Sequence, residues 1–268
     1  MAKGMLWQEM TVVEVRRAAE EGWVVLLPVG CIEQHGYHLP TGTDFFVAQE
    51  VARRTAELVR CVVAVAIPYS FSGGELPGTV DVDPAVLSQY VLEVVKSFYK
   101  QGFRAVILVL GHGGSENLAV LEQEVKVFFR RNPHLSDRVL LLTRTWELGE
   151  GGPGYIRDGD FHAAFGETSL MLHIAPHLVR SDRIVRDKPE LAELLARDPD
   201  AYQQETRLTD SPFEVPHISQ RGDMEVGVMG DPAGASAKVG KEMIEAAAQG
   251  LAGIVRPIES ALRQAGER

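Results

Sequence analysis

The sequence predicts an α/β protein built on a mostly parallel central sheet with helices on both faces. Three observations carry this expectation. Short apolar runs rich in β-branched residues recur at 23–29, 61–67, 105–110 and 139–143, and such runs suit strands buried on both faces. Segments with apolar residues at helical spacing separate them, which is the alternation of parallel α/β folds. Two of the runs empty directly into glycine-punctuated loops crowded with carboxylates and imidazoles, and parallel sheets bind ligands at the carboxyl ends of their strands.

Each element has a local reason. Over 11–21 the apolar positions Val12, Val15, Ala18 and Ala19 recur at helical spacing, with Thr11 placed to cap and Gly22 to stop the helix. The first core strand, 23–29, feeds the loop from Glu33 to Asp44, and 45–59 reads as a helix. A second buried strand over 61–67 ends at Pro68. Residues 69–84 form a long irregular loop holding Ser-Gly-Gly-Glu and Leu-Pro-Gly-Thr, of the kind that tends to carry function. A helix over 84–102 and the apolar strand 105–110 follow, then Gly111-His112-Gly113-Gly114-Ser115-Glu116-Asn117 and a helix to about 131. The strand 139–143 leads into a glycine-rich loop over 145–159 that contains Trp146. A helix over 162–174 is expected to carry His162 and Glu167 into the middle of the fold. Residues 181–215 are charged and weakly periodic, and read as a surface excursion or oligomer contact. An alanine-rich helix over 236–264 closes the chain. The glycine pairs 73–74 and 151–152 read either as lids or as plain flexible connections.

The 268 residues bury a sizeable core, and with no internal repeat or low-complexity tract they read as a single domain, 1–268. Apolar content of 45% and charged content of 24% are ordinary for a soluble globular protein. The net charge of -10 repels phosphate backbones and anionic lipid, so neither nucleic acid nor membrane is an expected partner. Cys31 and Cys61 belong to no Cys-x-x-Cys pair and read as buried thiols in a reducing compartment. With no signal-type apolar segment at the start and no run of 18 apolar residues, the expected location is cytoplasmic.

Glu33, His35, His38 and Asp44 sit in one loop, and carboxylate together with imidazole suits a divalent metal such as zinc, manganese or iron. Alone, this loop reads equally as a polar turn in which Thr43 or Asp44 caps the next helix. Gly111-His-Gly-Gly114 alone reads as a tight turn, with Ser115 or Asn117 as caps. Convergence favours the metal: two acid and imidazole loops at equivalent strand ends, plus Asp160-x-His162-x4-Glu167. The rival classes are a non-catalytic metal-binding protein and a nucleotide binder using the 111–114 glycines, although no G-x-G-x-x-G is present.

The sequence resembles the creatininase family of metal-dependent amidohydrolases. The matching residues are Leu-Pro-Val-Gly-Cys-Ile-Glu-Gln-His-Gly-Tyr-His-Leu-Pro at 27–40 with Asp44, Pro77-Gly-Thr79, Gly111-His-Gly-Gly114, and His162-Ala-Ala-Phe-Gly-Glu-Thr-Ser-Leu-Met-Leu172. Gly230-Asp-Pro-Ala-Gly-Ala-Ser236 with Gly240 looks like the family's late motif. The resemblance implies a three-layer α/β/α sandwich and a hydrolytic site with two divalent metal ions, zinc first, with manganese or iron as alternatives. It also implies a small-molecule substrate and a homo-oligomer, commonly a hexamer. Glu33, His35, Asp44 and His112 match metal ligands, with Asp44 as the bridge, and His162 matches the proton donor to the leaving group. In creatininase proper a glutamate stands two residues after the loop histidine, where this chain has Gly114. Glu167 takes the fifth-ligand role in this reading, with Glu116 as its competitor. Trp146 matches one substrate-closing tryptophan, the second falls near Asp158, and Phe161 replaces an acidic neighbour, so creatinine itself is not the expected substrate. A small cyclic amide or related carbonyl compound is expected. The alternatives within the family are a C–C hydrolase opening a cyclic polyol diketone, a formamide deformylase and a peptide-trimming enzyme.

Overall fold

The computed structural model describes residues 3–149 and 159–266; the glycine pair 151–152 and Asp158 lie outside them. In chain order the elements are β1 (Met5–Leu6), α1 (Val12–Glu20), β2 (Val24–Val29), α2 (Thr43–Leu58), β3 (Cys61–Val63), α3 (Pro84–Lys100), β4 (Ala105–Leu110) and α4 (Ser115–Arg131). They continue with β5 (Val139–Arg144), α5 (Phe165–Ile174), α6 (Pro189–Leu195), β6 (Gln203–Thr206), β7 (His217–Gln220) and α7 (Ala237–Gly266). Five strands form one parallel sheet in the order β1-β3-β2-β4-β5, while β6 and β7 pair as a separate antiparallel hairpin.

Strand alternation builds the layers. Val25, Leu27 and Val29 of β2 join Val106, Leu108 and Leu110 of β4 in a core with Ala18, Val91, Val95 and Leu121 from α1, α3 and α4. The intervening Val24, Leu26, Ile107 and Val109 face Val47, Val51, Leu170, Ile244 and Leu251 from α2, α5 and α7. Both faces of each central strand are therefore covered, which explains why β2 and β4 read as continuous apolar runs. Local capping agrees: the Thr11 hydroxyl accepts from Glu14 N while Thr11 N donates to the Glu14 carboxylate.

Several expected boundaries differ. The strand 61–67 closes at Val63, where Val65 turns outward and is 61% exposed. Ile67 returns to the sheet only through a bridge to Val29. The helix expected over 162–174 begins at Phe165, because Ala163 adopts φ of 52°, left-handed backbone that no α-helix can contain. His162 instead lies in a bridge with Met229. Residues 181–215 are more ordered than their weak periodicity suggests, carrying α6 and the first strand of the hairpin. The edge strand β1 has no counterpart among the sequence expectations.

This topology fixes where a site can form. From β2 the chain passes to β3 on one side and later to β4 on the other, so the carboxyl ends of β2 and β4 flank a switch point. Their register levels Val29 with Leu110. At Gly111, just beyond, a Cβ would fall 2.2 Å from the Asp44 carbonyl oxygen. Only glycine lets the first turn of α2 press onto the end of β4, and that contact brings Asp44 between the two loops.

Candidate metal centre

Five side chains from four segments meet above β2 and β4. Glu33 and His35 come from the loop after β2, Asp44 from the first turn of α2, His112 from the loop after β4, and Glu167 from the first turn of α5. Asp44 divides its carboxylate between two imidazoles. Its Oδ1 lies 3.2 Å from His35 Nε2 and its Oδ2 lies 3.0 Å from His112 Nδ1. Glu167 Oε2 stands 3.5 Å from His35 Nε2, and Glu33 Oε2 stands 3.2 Å from His112 Nδ1. The cluster thus has two lobes sharing Asp44: His35 with Glu167, and His112 with Glu33.

The capping alternatives do not describe these residues. The cap of α2 is Gly42 and that of α4 is Gly114, neither with a side-chain capping bond, and the Asp44 carboxylate is spent on the histidines. Gly114 stands where creatininase proper has its glutamate, and a Cβ there would fall 2.5 Å from His112 Nε2, so no longer side chain fits this arrangement. Glu116 points elsewhere: its Oε1 accepts from Gln203 Nε2 at 2.7 Å and its Oε2 from the Ser115 hydroxyl at 3.1 Å.

Burial opposes every charge here, yet the charges hold one another. Desolvation works against ionised Glu33, but His162 and His112 outweigh it and keep the carboxyl below the usual range. Asp44 is likewise held low against its burial, by His35 and His112. Burial also works against charged His35 and His112. Glu167 and Asp44 beside the first, and Glu33 and Asp44 beside the second, raise both well above the ordinary value. His38, buried and bonded through Nε2 to Thr168 Oγ1 at 3.0 Å, is pushed down by desolvation and by His35. Three carboxylates and two imidazoles are packed around shared space, with Glu33 Oε2 buried and without a hydrogen-bond partner among the described residues, and donors of these kinds suit a divalent cation.

His162 and Cys31 border this cluster. The His162 ring stacks obliquely on His35 at 4.3 Å between centroids, and its Nδ1 lies 3.7 Å from Glu33 Oε2. Ligand atoms of Glu33, His35 and His162 fall within 4.8 Å of one another, as do those of Cys31, Asp44 and His112. Burial pushes the Cys31 thiol up to about 11, so it stays protonated at neutral pH. A cavity of about 320 Å³ opens over the cluster, walled by Trp146, Phe161, Tyr202, Met224 and Met229.

Sequence reasoning missed two contributors. The hydroxyl of Ser72 donates to Glu33 Oε1 at 2.6 Å, and Tyr202 lines the cavity from the excursion after α5. The Ser-Gly-Gly loop had been marked by composition, but nothing in it singled out Ser72. Tyr202 ends a 3-10 turn in a segment without apolar periodicity and left no signal. Thr79 of the Pro-Gly-Thr motif accepts from Gln34 N at 3.1 Å and so holds the metal loop's backbone.

The chain is similar to known proteins over most of its length. The creatininase family model, described as creatinine amidohydrolase, matches residues 8–255. The chain is 32% identical over 238 residues to the mycofactocin precursor peptide peptidase of Mycolicibacterium smegmatis, covering 85% of this chain and 83% of that protein. It is 29% identical over 276 residues to the 3-dehydro-scyllo-inosose hydrolase of Thermotoga maritima, covering 95% of this chain and 84% of that one. Among solved structures, a mutant creatininase of zinc–zinc type superposes with a TM-score of 0.75 at 25% identity, covering 94% of this chain and 97% of that one.

Proposed function

The chain belongs to the creatininase family and is a metal-dependent hydrolase, and on that premise we propose that it holds two divalent cations and hydrolyses a small cyclic amide or related carbonyl compound. The observation that carries the two-metal reading is the division of Asp44 between His35 and His112, one oxygen to each. In this reading Glu33 and His112 would hold one cation and His35 and Glu167 the other, with Asp44 as the residue shared between them. Zinc is the first choice, with manganese or iron as alternatives. The enzyme is proposed to work as a single 1–268 unit in a cytoplasmic homo-oligomer, a hexamer by family resemblance.

Two divalent cations bound here supply a water whose pKa falls toward ~7 and polarise the substrate carbonyl. The protein's own groups do the rest. His162 Nε2 lies 2.8 Å from the Gln34 carbonyl oxygen, which can only accept, so that nitrogen carries the proton. The Gln34 amide nitrogen, 3.2 Å away, therefore cannot donate to it. Nδ1 is left unprotonated and facing the cluster, where it would take the proton that the attacking water loses and pass it to the leaving group. Trp146, Phe161 and Tyr202 wall the cavity and exclude water from the reacting atoms. Phe161 leaves no acidic group at its position, which supports a substrate other than creatinine.

A second reading keeps the same residues and changes the leaving atom from nitrogen to carbon. It is favoured by the 29% identity to a relative named as an inosose hydrolase. Elemental analysis of the purified protein, followed by a panel of cyclic amides, formamides, short peptides and cyclic diketones, tests both. Two metals per chain and turnover of one class, both lost in His112→Ala, are expected. An active, fully metallated His112→Ala protein would sink the assignment.

A further inference from the structure

We propose that Ser72 is a positioning residue that makes Glu33 a one-oxygen metal ligand, an inference that rests on the two-metal reading above. A carboxylate can offer a metal either oxygen or both, and which it offers depends on what holds the other. Here the Ser72 hydroxyl donates to Glu33 Oε1 at 2.6 Å, a short charge-assisted bond between two buried residues. The serine oxygen in turn accepts from Gly74 N at 3.1 Å, so its hydrogen is committed to Glu33. Glu33 Oε2 is left buried and without a hydrogen-bond partner among the described residues, 3.2 Å from His112 Nδ1. One oxygen is tied back and the other is aimed into the cluster.

The serine is itself fixed from three directions. Ser72 N and Gly73 N donate to the two oxygens of Asp81 at 2.7 and 3.2 Å, and the Tyr202 hydroxyl donates to Ser72 O at 3.3 Å. The backbone around Glu33 is pinned independently, by Glu33 N to Thr41 O at 2.9 Å and Gln34 N to Thr79 Oγ1 at 3.1 Å. Val80 N also donates to Ile32 O at 2.9 Å, so backbone contacts already join the two loops, and what the Ser72 hydroxyl adds is its bond to the Glu33 carboxylate. A hydroxyl placed this way sets the orientation of the ligand rather than the fold of its loop.

The test is stepwise removal of metal from the holoenzyme by a chromophoric chelator, with elemental analysis at each step, for the wild type, Ser72→Ala and Ser72→Thr. Ser72→Ala is expected to weaken one of the two metals by roughly 10- to 100-fold. The other metal should stay unchanged, the metal-free protein should unfold only a few degrees lower for the one lost bond, and Ser72→Thr, which keeps the hydroxyl, should hold both metals as the wild type does. A merely structural serine would move the metal-free unfolding and both metals together. A wild type with two metals whose Ser72→Ala variant binds both unchanged overturns the role of Ser72 alone. A wild type that binds fewer than two metals overturns the two-metal reading, and this proposal with it.

Discussion

Asp44 is a short side chain whose two oxygens each meet a different imidazole, and the residues around it divide by which lobe they serve. The fifth position is the sharpest comparison. Glu167→Gln is expected to empty or weaken one of two metal positions, read by elemental analysis after dialysis. Glu116→Gln should leave both, since Glu116 bonds Gln203 and Ser115, and should cost only the helix-terminus term of roughly 0.3–1 kcal/mol. The opposite ranking would move the role to Glu116. For the proton donor, His162→Asn should keep both metals yet lower kcat by roughly 10²- to 10⁴-fold. The loss should shrink for substrates whose leaving group needs no proton. Equal losses for good and poor leaving groups, or a missing metal, would make His162 a ligand or a structural residue.

At the scale of elements, the site is braced by segments that supply none of the clustered carboxylates or imidazoles. Asp187, buried just before α6, accepts from the N–H groups of Glu225, Val226 and Gly227 at 2.7, 3.0 and 2.7 Å. The strip it holds pairs Met229 with His162 and offers the Gly227 carbonyl to Gln34. Asp187→Ala should therefore destabilise the protein by on the order of 3 kcal/mol, as expected for removing a charged acceptor from buried donors. It should also lower kcat while leaving the metal content at two per chain. Denaturant unfolding with elemental analysis checks this, and unchanged stability would show that the strip is held by other contacts. The excursion 181–215 hid this role because its polar residues serve backbone groups and its apolar ones follow no period, whereas Thr11 and Gly22 announced α1 by local chemistry alone.

For the molecule as a whole, the metals and the protons compete for one cluster. In the metal-free protein His35 and His112 are raised above the ordinary 6.5, so the stability they contribute is full below that value and fades as pH climbs through their raised values. Glu33 and Asp44 are lowered, so their contribution is present above the ordinary 4.5 and 3.8 and fades as pH falls through the lowered values. The metal-free protein should accordingly be favoured by this cluster between about pH 4.5 and 6.5. Metal must displace the histidine protons, so its binding should tighten as pH rises. Chelation should lower Tm by roughly 5–10 °C for metal at 100 times its Kd. That difference should be larger at pH 8 than at pH 6, by calorimetry with and without chelator. A smaller difference at pH 8 would contradict the cluster's charge states.

The sequence by itself determined the parallel sheet, because strands buried on both faces must be continuously apolar, and it determined the loops that follow β2 and β4, because glycine, carboxylate and imidazole rarely crowd together without a reason in chemistry. Glu33, His35, Asp44 and His112 were legible on that ground, each within a few residues of a strand end or helix start. Tertiary structure alone decided the pairing within the cluster. Which oxygen of Asp44 meets which histidine depends on how closely α2 rests on Gly111, a distance no local pattern encodes. It also separates Glu167 from Glu116, since both open a helix with the same local chemistry and differ in their neighbours, His35 for the first and Gln203 for the second. Ser72 and Tyr202 belong to the same class: a hydroxyl and a phenol acquire their roles from partners 39 and 130 residues away in the chain, and a contact of that reach is a property of the fold.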